Sequence, residues 1–199
     1  MKKLVINKKL VEEQPIAHLA KYQEKWCKPS FMSWDQPAGH TEYHLYAYLS
    51  HLVNNTSILD IGTLFGGSAL ALSDNHNNSV ISYDLMSIET HIPGNFEKEN
   101  IVLEVRNFME DDLDYSNVDF ILIDVDPHDG KQEPPMIQFL VDKGFEGLIL
   151  LDDILLPGIT PMWNSLEYEK YNVTEIGHYS GTGILNIGKK FELEFIKGD

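Results

Sequence analysis

From residue 57 onward, five short apolar runs recur: SILDIG, SVISYD, NIVLEV, VDFILID and GLILLDD. Helical or irregular segments separate them. That alternation of strand and helix predicts a mainly parallel sheet. The first intervening helix is brief, because DNHNN at 74–78 ends it. The next crossover, LMSIETHIPGNFEKEN, carries Pro93 and Gly94, so its helix is short or broken. PPMIQFLVDKGF then reads as a clean helix between the fourth and fifth runs. After Asp153 the texture changes. TPMWNSLEYEKY reads as a helix, and NVTEIGHYS, TGILNIGK and FELEFI read as strands, the first two an antiparallel hairpin across Gly181 and Gly183.

Residues 1–56 show no strong strand pattern. PIAHLAKYQEKW and HTEYHLYAYLSHLV carry apolar residues at helical spacing, so this part is expected to be a helical cap. The joint CKPSFMSWDQPAG holds Phe31, Met32 and Trp34, and reads equally as a lid or a packed cover. With 199 residues and no repeats, the economical organisation is one domain over 1–199, with 1–56 as its cap.

Charge narrows the ligand class. The net charge is −16, and Arg106 is the single arginine. A nucleic-acid binder needs basic patches to neutralise phosphates, and fifteen basic residues scattered along the chain supply none. No apolar run is long enough to span a bilayer. The start, MKKLVINKKLVEEQP, soon turns polar and acidic and makes a poor signal peptide. Cys27 is alone, which excludes an internal disulfide and a thiolate metal cluster. A cytoplasmic protein with a small-molecule partner, and neither nucleic acid nor membrane, is the expectation. The apolar N-terminal helices offer a face for a homodimer.

The first apolar run leads into SILDIGTLFGGSAL, where Asp60 precedes Gly62, Gly66 and Gly67. A dinucleotide fingerprint, G-x-G-x-x-G, needs glycine at the position Leu64 occupies, so that the backbone can approach a pyrophosphate. No G-K-[ST] follows, which excludes a phosphate-wrapping loop. The turn therefore suits a nucleoside-bearing ligand without a diphosphate, or glycines that serve packing alone. The second run ends in Asp84, twenty-four residues after Asp60, where an acid can accept from two ribose hydroxyls.

The fourth and fifth runs also end in carboxylates: Asp124, and Asp152 with Asp153. In a parallel sheet these ends share one rim, where three carboxylates repel unless a cation or protons intervene. Oxygen ligands alone suit magnesium or calcium. The bland alternative is solvated, helix-capping aspartates. His40 and His44 share a helix face but lack the H-E-x-x-H pattern of a zinc site.

LDIGTLFGGSAL resembles the first motif of the class I S-adenosylmethionine-dependent methyltransferases, and most resembles that of the small-molecule, metal-dependent O-methyltransferases related to the catechol and caffeoyl-CoA enzymes. The resemblance covers residues 38–155, and the rest by topology only. It implies an α/β fold with a doubly wound, mainly parallel seven-stranded sheet and a C-terminal antiparallel hairpin. It implies that Asp60, Gly62 and Gly66 border the methionine end of the cofactor, with Ser68 near its carboxylate and Asp84 on the ribose. RNFMED would pass the adenine through Asn107 and Phe108. AGHTEYHLYAYL resembles the helix that closes over the cofactor, with Glu42 its polar contact. The metal-dependent branch carries an acid after strand four and an Asp-Asn pair after strand five. This implies a divalent ion, magnesium by that analogy, on Asp124, Asp152 and Asp153, the last standing where asparagine is usual. The catechol branch has a lysine a few residues beyond the strand-four acid, but that register offers Pro127 here. The adjacent His128 is the candidate general base, with Asp126 orienting it or holding the cofactor's amine.

The expected function is methyl transfer from S-adenosylmethionine to a hydroxyl of a small acceptor, whose oxygen a metal on Asp124 makes acidic. The rivals are a metal-independent methyltransferase, a nicotinamide-dependent oxidoreductase, which Leu64 disfavours, and a non-catalytic nucleoside-binding protein of the same fold.

Overall fold

The structure is a computed structural model and describes residues 1–19, 21–22, 37–86 and 98–198, with the side chains of 37–40 outside the description. The joint with Phe31, Met32 and Trp34, the lone Cys27, and the crossover with Pro93 and Gly94 lie outside the described residues.

In chain order the elements are β1 (Lys2–Asn7), α1 (Lys8–Glu12), α2 (Pro37–His51), β2 (Ser57–Ile61), α3 (Gly67–Leu72), β3 (Ser79–Asp84), β4 (Ile101–Val105), β5 (Val118–Ile123), α4 (Glu133–Asp142), β6 (Gly147–Asp152), α5 (Thr160–Ser165), β7 (Glu169–Asn172), β8 (Thr182–Ile187) and β9 (Phe191–Ile196). Seven strands form one sheet in the order β4-β3-β2-β5-β6-β8-β7. β2 to β6 are parallel, and β8 runs antiparallel to both β6 and β7. This is the doubly wound sheet with an antiparallel C-terminal pair that was expected. Strand order reverses between β2 and β5, so a crevice opens at their C-terminal ends.

Alternation along each strand sends side chains to two cores. Ile58, Val80, Phe120, Leu122, Leu148 and Leu150 pack beneath α2 and α3. Leu59, Tyr83, Ile121, Ile123, Ile149 and Leu151 pack against α4 and α5 on the other face. Among the described residues no helix is long and apolar enough to cross a membrane.

Two segments depart from the expectations. Residues 2–7 are a strand, not part of a wholly helical cap. β1 pairs in parallel with β9, Lys2 opposite Phe191 and Asn7 opposite Ile196, as a separate two-stranded sheet. Leu4 and Ile6 are buried there, and Lys3 lies 2.6 Å from Glu194. The partner is at the far end of the chain, so no local pattern announces the pairing. The second departure is in TPMWNSLEYEKY, where the helix stops at Ser165 and Glu169–Asn172 becomes an edge strand. Lys170 caps the helix by donating to the carbonyls of Trp163 (2.7 Å), Asn164 (3.0 Å) and Leu166 (2.7 Å), which serves the orphan groups of its last turn. The strand expected over 172–180 gives way after Asn172 to a 3-10 turn, Thr174–Ile176, and a loop.

Candidate active site

The glycine turn is set by close backbone approach. Gly62 has φ +107°, and a Cβ there would lie 1.7 Å from the carbonyl oxygen of Asp124. The ends of β2 and β5 therefore touch through main chain alone. The Gly62 and Thr63 amides donate to the Tyr83 carbonyl at 2.9 and 3.2 Å, and Gly66, φ +73°, closes the turn by donating to Thr63 O at 2.6 Å. Gly67 has a different reason: a Cβ there would sit 2.5 Å from the Tyr43 hydroxyl on α2. Leu64 has φ +41°, and its amide donates to Asp84 Oδ2 at 2.9 Å, while Asp84 Oδ1 accepts from Met86 at 2.9 Å. The Asp84 carboxylate, seated on the Leu64 amide, brings negative charge to the glycine turn. Arg106 is held by Glu104 (3.2 Å) and Asp111 (3.0 Å).

Asp60 is fully buried beneath the turn. Its Oδ2 accepts from the Ser82 hydroxyl, which is 2.6 Å from that of Thr63, and its Oδ1 has no hydrogen-bond partner. Burial pushes this carboxyl up to about 6, against the pull of the Ser82 and Ser68 hydroxyls.

Beside the turn, the strand ends gather carboxylates and imidazoles. The Asp124 amide donates to Ile61 O at 2.9 Å, which fixes Asp124 against Gly62. Asp152 ends β6, and Asp153 follows with φ +62°. His128, φ +55°, lies in the loop after β5 with its Nδ1 3.1 Å from Asp153 Oδ2 and 4.0 Å from Asp124 Oδ1. Its Nε2 is 3.2 Å from Asp126 Oδ1, and the Asp126 side chain is 89% exposed. His178 meets the other oxygen of Asp153, its Nδ1 3.4 Å from Asp153 Oδ1 and 3.5 Å from Asp152 Oδ1. The Ser180 hydroxyl donates to Asp153 Oδ1 and is hydrogen-bonded to His178 Nδ1. Glu42, on α2, accepts from the Tyr46 hydroxyl at 2.6 Å and belongs to the same electrostatic group.

The cluster is electrically tense. Burial raises Asp124 well above the carboxylate range, and Asp152, Glu42 and Asp153 add to it. Burial lifts Glu42 to about 8, with Asp152 reinforcing the shift. For His178, burial alone would lower the pKa, but Asp152, Asp153 and Glu42 together raise it to about 11. Burial would raise Asp153, yet His178, Ser180 and His128 hold it below its ordinary value. Asp124 is thus a carboxylate whose ionisation a nearby cation would favour. Among the described residues two trios converge tightly enough to hold one: Asp124, His128 and Asp153, and Asp152, Asp153 and His178.

The structure thus brings Asp60, Gly62, Gly66 and Asp84 to one turn, with Ser68 on the helix that follows, and Asp124, His128, Asp152, Asp153 and Glu42 to the adjoining crevice. Asn107 and Phe108 follow β4, with the Phe108 ring 6.3 Å from that of Tyr83. Asn107 Oδ1 caps a short turn by accepting from Met109 at 3.1 Å, and the Phe108 ring is committed to the core, edge-on to Phe139 at 5.7 Å. His178 and Ser180 were not among the candidate residues. The signal for them lies in the antiparallel return: Thr182, which opens β8, pairs with Asp152, which ends β6, so residues just before β8 land on the carboxylate rim.

Sheet order, crevice and glycine turn define the class I methyltransferase-like fold, with a mixed, mostly parallel seven-stranded sheet. Solved structures agree. The SAH-bound methyltransferase PaMTH1 of Podospora anserina superposes with a TM-score of 0.58 at 15% identity, covering 88% of this chain and 92% of that one. An O-methyltransferase of Bacillus cereus in complex with SAH gives 0.58 at 12%, covering 87% and 91%. The precorrin-6y C5,15-methyltransferase of Geobacter metallireducens gives 0.54 at 18%, covering 73% and 86%. No family model matches the sequence, and no curated protein matches it.

Proposed function

We propose that the protein transfers the methyl group of S-adenosylmethionine to a hydroxyl of a small acceptor, with a divalent ion bound at Asp124, Asp152 and Asp153. The observation that carries this reading is the carboxylate–imidazole cluster lying directly against the Gly62 turn at the point where strand order reverses. The residues fit both groups. Gly62 lets the β2 end close on Asp124 through main chain alone, which sets the turn directly beside the carboxylates. Asp84 keeps a free lone pair on each oxygen for ribose hydroxyls. The buried Oδ1 of Asp152 has no hydrogen-bond partner.

When bound, the cofactor supplies an electrophilic methyl on a cationic sulfonium, and the ion makes an acceptor hydroxyl more acidic. The chain's own part is placement and proton transfer. Asp60 and Asp84 surround the turn with negative charge that favours a sulfonium and disfavours a diphosphate. Asp124 and Asp152, at two adjacent strand ends, would hold the ion together with Asp153, which belongs to both of the tight trios. His128, neutral with its Nε2–H toward Asp126 at 3.2 Å, takes the acceptor's proton at Nδ1, the nitrogen that otherwise stands 3.1 Å from Asp153 Oδ2.

Isothermal titration with S-adenosylmethionine and its demethylated product tests the first step. Binding by the native chain, weakened at least tenfold in Asp84→Ala, is expected; no binding of either ligand sinks the reading. Turnover on a panel of catechols and related hydroxylated acceptors should then fall about 100-fold or more in His128→Ala and be lost on chelation. One observation favours the metal-independent alternative: His178 already sets a positive charge between Asp152 and Asp153. Turnover that survives chelation would select it.

A further inference from the structure

The geometry points to His178 as a ligand, with Asp152 and Asp153, of the divalent ion, which makes the centre a mixed nitrogen–oxygen site for a borderline first-row ion such as zinc or cobalt, not an all-oxygen magnesium site. This inference rests on the metal-assisted reading above. Three observations support it.

The first is spacing. His178 Nδ1 stands 3.4 Å from Asp153 Oδ1 and 3.5 Å from Asp152 Oδ1. Bonds of about 2.0–2.2 Å in a tetrahedral set put neighbouring ligand atoms about 3.3–3.6 Å apart. An octahedral magnesium set with bonds of about 2.0–2.1 Å needs adjacent ligands only about 2.8–3.0 Å apart. These two separations match a tetrahedral edge, with the Ser180 hydroxyl standing where the ion would enter. The second is burial. The Asp152 side chain is 7% exposed, and its Oδ1 makes no hydrogen bond; it faces His178 Nδ1 as an ion pair at 3.5 Å. A buried carboxylate oxygen held by so long a contact gains from a cation bound directly to it. The third is the rigidity of the loop that delivers the imidazole. Its backbone is pinned to the segment after β6 by Ile154 donating to Gly181 O (3.2 Å) and Leu155 donating to Ser180 O (2.9 Å). The His178 amide donates to Thr182 Oγ1 at 2.8 Å. Gly181, φ +110°, admits no Cβ against Leu155. Such a loop holds its ligand in place before the ion arrives.

Imidazole also decides the chemistry of the ion. Nitrogen donors favour zinc, cobalt, nickel and iron over magnesium. The Ser180 hydroxyl, now shared between His178 and Asp153, is the group an ion would displace from between them. It is a competitor for the site, not a member of it.

The test uses the full chain stripped of metal, titrated with zinc, cobalt and magnesium and monitored by calorimetry and by cobalt absorption in the visible. Zinc should bind at least about 100-fold more tightly than magnesium, in line with the ligand preference, and cobalt should show the intense bands of a four- or five-coordinate ion. His178→Gln should lower zinc affinity at least tenfold, bleach the cobalt bands and leave magnesium affinity within threefold. Ser180→Ala should bind zinc as tightly as the native chain or more so. Asp74→Ala, which dismantles the separate His18–Asp74–His51 group just past the end of α3, should leave zinc affinity unchanged, and circular dichroism confirms that each variant is folded. Zinc binding indifferent to His178→Gln, or equal affinities for zinc and magnesium, overturns this inference and leaves the metal-assisted reading standing. Failure of the native chain to bind any of the three ions overturns both.

Discussion

At Gly62 a single added methyl group would meet the carbonyl oxygen of Asp124 at 1.7 Å, on a backbone with φ +107° that side chains rarely adopt. Gly62→Ala should therefore cost at least about 3 kcal/mol of stability, through strain and a forced parting of β2 from β5; thermal unfolding measures it, and cofactor binding should vanish in whatever fraction still folds. Asp60 sits one turn deeper and carries a pH signature. Its carboxyl titrates near 6 when folded, against 3.8 for the ordinary group. The folded chain therefore keeps a proton that the unfolded chain has already lost between those values. Its contribution to stability is complete below about pH 4 and disappears as pH rises to about 6, by roughly 2–3 kcal/mol. Asp60→Asn should flatten the stability profile across that window and stand above the native chain at pH 7, as denaturant titrations at pH 4, 5, 6 and 7 would show. Both residues were legible as candidates, since a glycine and an acid at the end of an apolar run mark a strand-to-helix turn. What the turn is pressed against was not legible.

Among the elements, β1 and β9 form a clasp between the two ends of the chain. Leu4 and Ile6 are almost fully buried, close to Phe191 in the same core. Leu4→Ala should cost about 2–4 kcal/mol in equilibrium unfolding, as a core substitution does, whereas a loosely attached cap would lose little. The six-residue KKLVIN is too short to separate strand from helix by its pattern alone, and its partner is nearly the whole chain away. The edge strand β7 was hidden for a related reason. LEYEKY carries apolar and charged residues compatible with either period, and only pairing with β8 and the Lys170 cap end the preceding helix. By contrast, the buried parallel strands and the helix Glu133–Asp142 were plain, because there the pattern was long, apolar and bounded by turn residues.

For the whole molecule, the dominant fact is where its negative charge accumulates. The chain carries a net −16, and Glu42, Asp124, Asp152 and Asp153 converge on one rim against two imidazoles. A divalent ion present at one hundred times its dissociation constant should stabilise the fold by about 2.7 kcal/mol, and Asp152→Asn should remove most of that gain; differential scanning calorimetry with and without the ion reads both. The amino-acid sequence by itself determined the parallel sheet, the glycine turn and the acids that end its strands, because side-chain periodicity and turn chemistry are properties of neighbouring residues. Tertiary structure alone decided that His178, Ser180 and Glu42 join those acids, that Phe108 turns into the core, and that the two ends of the chain pair. Such meetings depend on strand order and on an antiparallel return that brings residue 182 opposite residue 152, and no window along the chain contains both.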